Sequence, residues 1–269
     1  MSNWFEAAPL FCPADRPERY EKAAARTTTV ILDLEDAVAP DRKALARTSL
    51  IESPLDPALT IVRVNPVATA EFELDLAALA QTDYRRLMLA KTESVADLKR
   101  LARYEVVALC ETAAGVVMAA EIARVDHVVG LMWGSEDLMA SMGGRSSRHS
   151  DGRYRDVVRT ARSNVLLASA AAGKAAIDAV YMDTTDDAGL LDESSDAAAT
   201  GFSAKACIHP NQVEVVRAAF RPSESAVQWA QRVIAAAAED QGVFLLDGQM
   251  IDGPLVKQAE SIMRRSSSQ

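Results

Sequence analysis

Along the chain a short apolar run is followed by a few polar residues and then by a segment with helical spacing, and this unit recurs. The runs are "PLFC", "TTVILDL", "LTIVRV", "RRLMLA", "EVVALC", "HVVGLM", "AIDAVYM" and "KACIHP". Several are apolar almost throughout, the pattern of strands buried on both faces of a parallel sheet. Helix starts and stops lie between them. "DRPERYEKAAA" carries Pro17 in its first turn, "TESVADLKRLARY" repeats apolar positions at Val95, Leu98 and Leu101, and "DVVRTARSNVLLASAAAG" closes on Gly173. Eight such alternations within residues 1–220 predict an α/β fold, a (β/α)8 TIM barrel, with a doubly wound open sheet as the rival.

The repeat ends near residue 220. "SESAVQWAQRVIAAAAEDQG" then reads as an amphipathic helix with Ser223 as N-cap, "VFLLDGQMI" as a hairpin turning at Asp-Gly, and "GPLVKQAESIMRR" as a helix with Pro254 near its start. This C-terminal helix–hairpin–helix extension, 221–269, is redundant to an eight-strand barrel. It is expected to serve as a lid or a subunit contact, packing on the barrel or on a neighbouring subunit, with the final "SSSQ" frayed.

Composition narrows the functional classes. Apolar content of 49% and charged content of 25% are those of a globular enzyme, and 269 residues bury a sizeable core without disulfides. A net charge of −9 argues against a nucleic-acid partner, which needs a basic face. Cys12, Cys110 and Cys207 fit no zinc or redox spacing and read as reduced core residues. "MSNWFEAAPLF" lacks the charged-then-apolar order of a signal peptide. The run "VLLASAAAGKAAIDAV" is interrupted by Gly173, Lys174 and Asp178, so no membrane span is expected. The expectation is a cytoplasmic chain.

Chemistry in a barrel sits at the C-terminal ends of the strands. Those ends carry Asp15 and Arg16, Glu35 and Asp36, Arg63, Lys91, Glu111, Glu136 and Asp137, Asp183, and His209. Acids converging from several strands suit a hard divalent cation, Mg2+ first, whereas a single acid after a strand more often caps the next helix. Glu111 in "LCETAAGVV" and Asp137 in "GLMWGSEDLM" follow successive strands about 5 Å apart. They either share one ion or cap their helices, with Thr112 and Ser135 helping. Arg63 either grips a carboxylate or oxyanion with both ends of its fork, or pairs with Glu35, Asp36 or Glu111. His209, before a proline, reads as a structural hydrogen-bonding residue. The loop "SMGGRSSRHSDGRYR", with Arg145, Arg148, Arg153 and Arg155, reads as mobile and solvated; gripping ligand phosphates is the lesser reading. Within "ILDLEDAVAP", Asp33 is expected in the barrel interior, while Glu35 and Asp36 orient Arg63 and support the ion through water without touching it.

The ordered set "FCPADRPERYEKA", "LDLEDAVAPDRKALAR", "VRVNP", "AKTES", "LCETAAGV", "GSEDLMASMGG", "AGKAAIDAVYMD", "GFSAKACIHPNQ" and "LDGQMIDGPLVKQAE" resembles the citrate lyase beta-subunit-like family, within the HpcH/HpaI aldolase and malyl-CoA lyase superfamily. The resemblance covers nearly the whole chain. It implies a modified TIM barrel that binds Mg2+ and handles coenzyme A thioesters of short hydroxy acids. It implies Glu111 and Asp137 as metal ligands, Arg63 on the substrate carboxylate or thioester oxygen, Lys205 as a coenzyme A contact, and Asp252 as a proton-transfer residue reaching in from a neighbouring subunit of a homotrimer. Arg16, at the end of the first strand, is expected as a further substrate contact. The chain departs from the family pattern at Ala204, where glycine is common before the lysine, and at Cys12, where valine is common.

The activity so implied is Mg2+-dependent carbon–carbon cleavage or formation of a 3-hydroxyacyl-CoA such as malyl-CoA or citramalyl-CoA, giving acetyl-CoA and a 2-oxo acid or glyoxylate. A thioesterase of the same fold, and a beta subunit of a citrate-lyase-type complex working on a carrier-bound thioester, are the alternatives.

Overall fold

The computed structural model describes residues 6–239 and 242–266; the start of "MSNWFEAAPLF", the end of the expected helix at 240–241 and the expected frayed end at 267–269 lie outside them. The chain divides into two compact units after Val216, within the helix Gln212–Phe220.

The first unit is the predicted barrel. Its strands are β1 Leu10–Pro13, β2 Val30–Asp33, β3 Thr60–Val64, β4 Arg86–Leu89, β5 Glu105–Cys110, β6 Val128–Trp133, β7 Ala175–Asp178 and β8 Ala204–Lys205, paired in parallel in chain order. The sheet closes on itself: the Lys205 and Cys207 amides donate to the Ala7 and Pro9 carbonyls at 2.9 and 2.8 Å, and Phe11 donates to the Cys207 carbonyl at 2.9 Å. Closure leaves no sheet edge open to pair with another chain. The doubly wound alternative is thereby excluded.

Alternation decides what fills the barrel. Ile31, Ile61, Met88, Val107, Leu109, Met132, Ile177, Ala204 and Ala206 form one buried cluster, drawn from seven successive strands. Each large side chain fully buried there contributes roughly 1.5–3 kcal/mol. Because the side-chain period of a strand is two residues, the position two further along from each inward residue also points inward, now at the mouth. Ile31 thus leads to Asp33, Ile61 to Arg63, and Leu109 to Glu111. The methyl of Ala204 is spent in this packing, which gives the departure from glycine a place in the core.

One strand end and one loop differ from the sequence reading. β7 stops at Asp178, although the apolar pattern "AIDAVYM" continues to Met182. The Asp178 carboxylate is fully buried and takes bonds from Trp133 Nε1 (2.7 Å), Arg162 Nε (2.9 Å) and Lys205 Nζ (3.0 Å), which anchors the chain as it leaves the sheet. Asp183, expected at that strand end, instead bonds within its own turn to Thr185. The loop after "SMGG" is exposed at Arg145, Arg153 and Arg155, as expected, but Arg148 is tied down. Arg148 stacks on Tyr154 at 3.7 Å and pairs with Glu193 at 2.8 Å, so the segment is tied to a helix far along the chain.

The second unit has its own small core of Ala230, Val233, Ile251 and Ala259, packed by Trp229, Phe244, Leu246 and Leu255. Helix Glu224–Glu239 starts at Ser223, whose hydroxyl accepts from the Ala226 amide at 3.1 Å. Strands β9 Phe244–Leu246 and β10 Gln249–Ile251 pair antiparallel. Asp247 and Gly248 at their turn both have positive φ (51° and 80°), as a two-residue hairpin of this hand requires. Helix Gly253–Ser266 follows. No helix among the described residues is long and apolar enough to cross a membrane.

Candidate metal and substrate site

Five carboxylates and two cations meet at the C-terminal mouth of the barrel. Asp33, on β2, is the register partner of Arg63 on β3, and the guanidinium donates to it twice, Nε to Oδ1 at 2.7 Å and Nη2 to Oδ2 at 2.6 Å. Asp33 also accepts from the amides of Glu35 and Ala37, at 2.9 and 3.1 Å, so it shapes the turn that carries Glu35. Arg63 Nη1 lies 3.1 Å from Glu35, and the ring of Phe11 sits 4.9 Å from its guanidinium carbon. Burial opposes the charge on Arg63, but Asp33 and Glu35 outweigh it and hold the guanidinium protonated.

The second cation is Lys91, just beyond β4. Its ammonium bonds Glu35 and lies 3.1 Å from Asp36, 3.2 Å from Asp137 and 4.0 Å from Glu111. Its backbone has φ of +49°, in the left-handed region that costs a non-glycine residue on the order of 1 kcal/mol. That turn aims the Lys91 amide at Glu111 Oε1, 3.1 Å away. Burial raises the Glu35 carboxyl despite Arg63 and Lys91, whereas at Asp36 the opposing pull of Lys91 prevails over burial and lowers it.

Glu111 and Asp137 come from neighbouring strands, as expected, and neither caps its helix. The helix Ala113–Val117 is capped by the Thr112 hydroxyl, which accepts from the Gly115 amide at 3.1 Å, leaving the Glu111 carboxylate for the mouth. Asp137 sits in the first turn of helix Ser135–Ser141 with no side-chain cap beneath it. Glu136 turns away to Ser147 Oγ at 2.6 Å. Cys110 and Trp133 are register partners, so Gly134 stands beside Glu111. A Cβ on Gly134 would fall 2.9 Å from Glu111 Oε2, so glycine preserves the space next to that oxygen. Burial, reinforced by Asp137, pushes the Glu111 carboxyl up to about 8.

The donor chemistry fits a hard divalent cation. With all five acids ionised, Arg63 and Lys91 leave three negative charges unmatched. Among the described residues no group of three or more acids, histidines or cysteines converges on one point. The pair Glu111 and Asp137 therefore suits an ion that takes one or two carboxylates and completes its shell with water and ligand oxygens.

The other expected residues lie elsewhere. Arg16 follows β1, its side chain about half exposed and its Nε 3.7 Å from Asp15, which pairs more closely with Arg42. Lys205, expected against a coenzyme, is fully buried: its ammonium is held by Asp178 (3.0 Å), Glu193 (2.7 Å) and the Ala179 carbonyl (2.7 Å). Burial alone would raise Asp178, but Lys205 and Arg162 hold it below the usual carboxylate range. Lys205 is a core ion-pair residue with no donor left for a ligand. Asp252 belongs to the second unit and accepts from the Leu255 amide at 3.3 Å at the start of the last helix. His209 is exposed, its ring nitrogen accepting from the Asn211 amide at 3.3 Å. Sequence reasoning noted Lys91 at a strand end but gave it no role. Its signal was present, a lone base at a strand end otherwise facing acids, but nothing local shows how far its ammonium reaches.

Comparison with known proteins gives the family and the fold. The family model described as HpcH/HpaI aldolase/citrate lyase matches residues 8–210. A citrate lyase subunit beta-like protein of Mycobacterium tuberculosis is 54% identical over 257 residues, covering 96% of this chain and 94% of that one. The mitochondrial citramalyl-CoA lyase of Homo sapiens is 34% identical over 295 residues, covering 97% and 85%. Among solved structures, CitE from Mycobacterium tuberculosis in complex with magnesium, acetoacetate and coenzyme A superposes with a TM-score of 0.93 at 53% identity, covering 97% of this chain and 98% of that chain.

Proposed function

The chain belongs to the HpcH/HpaI aldolase/citrate lyase family, and from that premise we propose that it is a Mg2+-dependent carbon–carbon lyase of short 3-hydroxyacyl-CoA thioesters. Cleavage of malyl-CoA or citramalyl-CoA would yield acetyl-CoA with glyoxylate or a 2-oxo acid, and the reverse reaction would join them. The observation that carries this reading is the convergence of Glu111 and Asp137, with an excess of negative charge, on one mouth beside an immobilised Arg63. The human relative acts on citramalyl-CoA by name, and the mycobacterial CitE structure holds magnesium and coenzyme A.

Glu111 and Asp137 would hold Mg2+, which when bound supplies a Lewis acid for the carboxylate and hydroxyl oxygens of the substrate. Arg63 is fixed by Asp33 and Glu35, so its remaining N–H bonds need no reorganisation to meet an anion. Aimed at the thioester oxygen, they would stabilise the negative charge that develops there as the carbon–carbon bond breaks. Glu35 fixes Arg63 and Lys91 together, and Asp36 holds Lys91 from the outer side. Asp252, from a neighbouring subunit of a homotrimer, would deliver a proton to the enolate carbon of acetyl-CoA, or remove it in the synthetic direction. Arg16, half exposed at the rim of β1, would meet an anionic part of the substrate.

Product analysis tests the reading. With malyl-CoA and Mg2+, glyoxylate and acetyl-CoA should appear in equal amounts with no free thiol. Free coenzyme A and malate without glyoxylate would replace the lyase by a thioesterase.

A further inference from the structure

We infer that Lys91 is a tethered competitor of the metal ion: its ammonium holds the mouth carboxylates together when no ion is bound and must leave Asp137 for the ion to bind. The inference rests on the reading of Glu111 and Asp137 as the metal ligands.

The geometry is specific. Lys91 Nζ lies 3.2 Å from Asp137 Oδ1 and 4.0 Å from Glu111 Oε1, the two side chains an ion would share. On its other side it is anchored to Glu35 and, at 3.1 Å, to Asp36. A lysine ammonium is a compact point charge with three donors on a flexible stem, so it can give up one partner and keep the others. A cation entering between Glu111 and Asp137 meets this positive charge a few ångströms away, in a site screened poorly by water because Glu111 and Glu35 are buried. The ion must therefore break the Lys91–Asp137 pair, and Glu35 and Asp36 retain the displaced ammonium.

The Lys91 amide contributes separately. It bonds Glu111 at 3.1 Å through a backbone turn of positive φ, and a change from Lys91 to Met, Gln or Arg keeps the amide that makes it. Replacing the side chain thus deletes the competing charge while leaving Glu111 aimed at the mouth. A residue that merely ordered the ligands would weaken metal binding when removed; a competitor strengthens it.

Calorimetric titration of the metal-free full chain with Mg2+ tests this, in parallel with thermal melting. Lys91→Met should bind Mg2+ at least tenfold more tightly than the unaltered chain. Its metal-free melting temperature should fall, and the rise on adding Mg2+ should be larger. Lys91→Arg, which keeps the charge, should stay within about threefold of the unaltered affinity. Should metal-free Lys91→Met fail to fold, Lys91→Gln carries the same expectation with a polar tip retained near Glu35. Unchanged or weaker Mg2+ binding in the neutral variant overturns the inference. Glu111→Gln separates it from its premise. Loss of Mg2+ binding there with no gain in Lys91→Met refutes the competitor role alone; retention of full affinity refutes the ligand assignment, and the competitor role with it.

Discussion

Arg63 and Asp33 stand opposite each other in register on adjacent strands, joined by two bonds of 2.7 and 2.6 Å. The pair consumes one edge of the guanidinium and fixes the direction of the rest. Because Asp33 also takes two turn amides, the arginine is held by the same residue that folds the loop carrying Glu35.

Arg63→Lys keeps the charge but loses the fork, and Lys cannot reproduce a two-point bond to Asp33. Turnover should fall roughly 100- to 1,000-fold, the usual loss when one oxyanion donor is removed, with Mg2+ affinity changed little. Steady-state kinetics beside calorimetry checks the split.

Gly134→Ala places a methyl 2.9 Å from Glu111 Oε2 at a backbone position (φ −134°) that any residue adopts. The effect therefore reports the contact alone. Mg2+ affinity should weaken by roughly 10- to 100-fold, as for other residues that orient a metal ligand, with the melting temperature of the metal-free chain nearly unchanged.

Glu111, raised by burial and by Asp137 to about 8, binds its proton more tightly folded than unfolded. Stability from this group is complete below its unfolded value of about 4.3 and is lost as pH rises through 8. The metal-free chain should therefore melt at falling temperature between pH 6 and pH 8.5. Mg2+ needs the ionised form, so its affinity should climb with pH over the same window and level off above it. Melting curves at several pH values, with and without Mg2+, read both slopes.

Lys205→Met removes one partner of a buried pair and should cost roughly 3 kcal/mol of stability, since Arg162 and Trp133 still hold Asp178. KM for the coenzyme A substrate should stay the same. A raised KM at unchanged stability would return Lys205 to the ligand site.

Much of this was legible in the sequence. The eight apolar runs carried the barrel because strands covered on both faces cannot hide their composition. Glu111 and Asp137 stood out as acids placed directly after such runs, and Thr112 was correctly suspected at the cap. The end of β7 was not legible: apolar character continues to Met182, and only the buried bonds at Asp178 show where the strand stops. Lys205 misled because the resemblance carried by "GFSAKACIHPNQ" does not show the two acids, from β7 and from helix Asp187–Thr200, that enclose it. Arg148 was hidden for the same reason, its partner Glu193 lying 45 residues further on. Contacts set by long-range packing leave no local trace.

The most direct test of the central claim is a crystal of the full chain grown with Mn2+ in place of Mg2+, together with a 2-oxo acid and acetyl-CoA, measured for anomalous scattering. The account predicts a single Mn2+ peak coordinated by Glu111 and Asp137, with the 2-oxo acid on the ion and Lys91 withdrawn to Glu35 and Asp36. A peak away from those two carboxylates, or none at the barrel mouth, would contradict it.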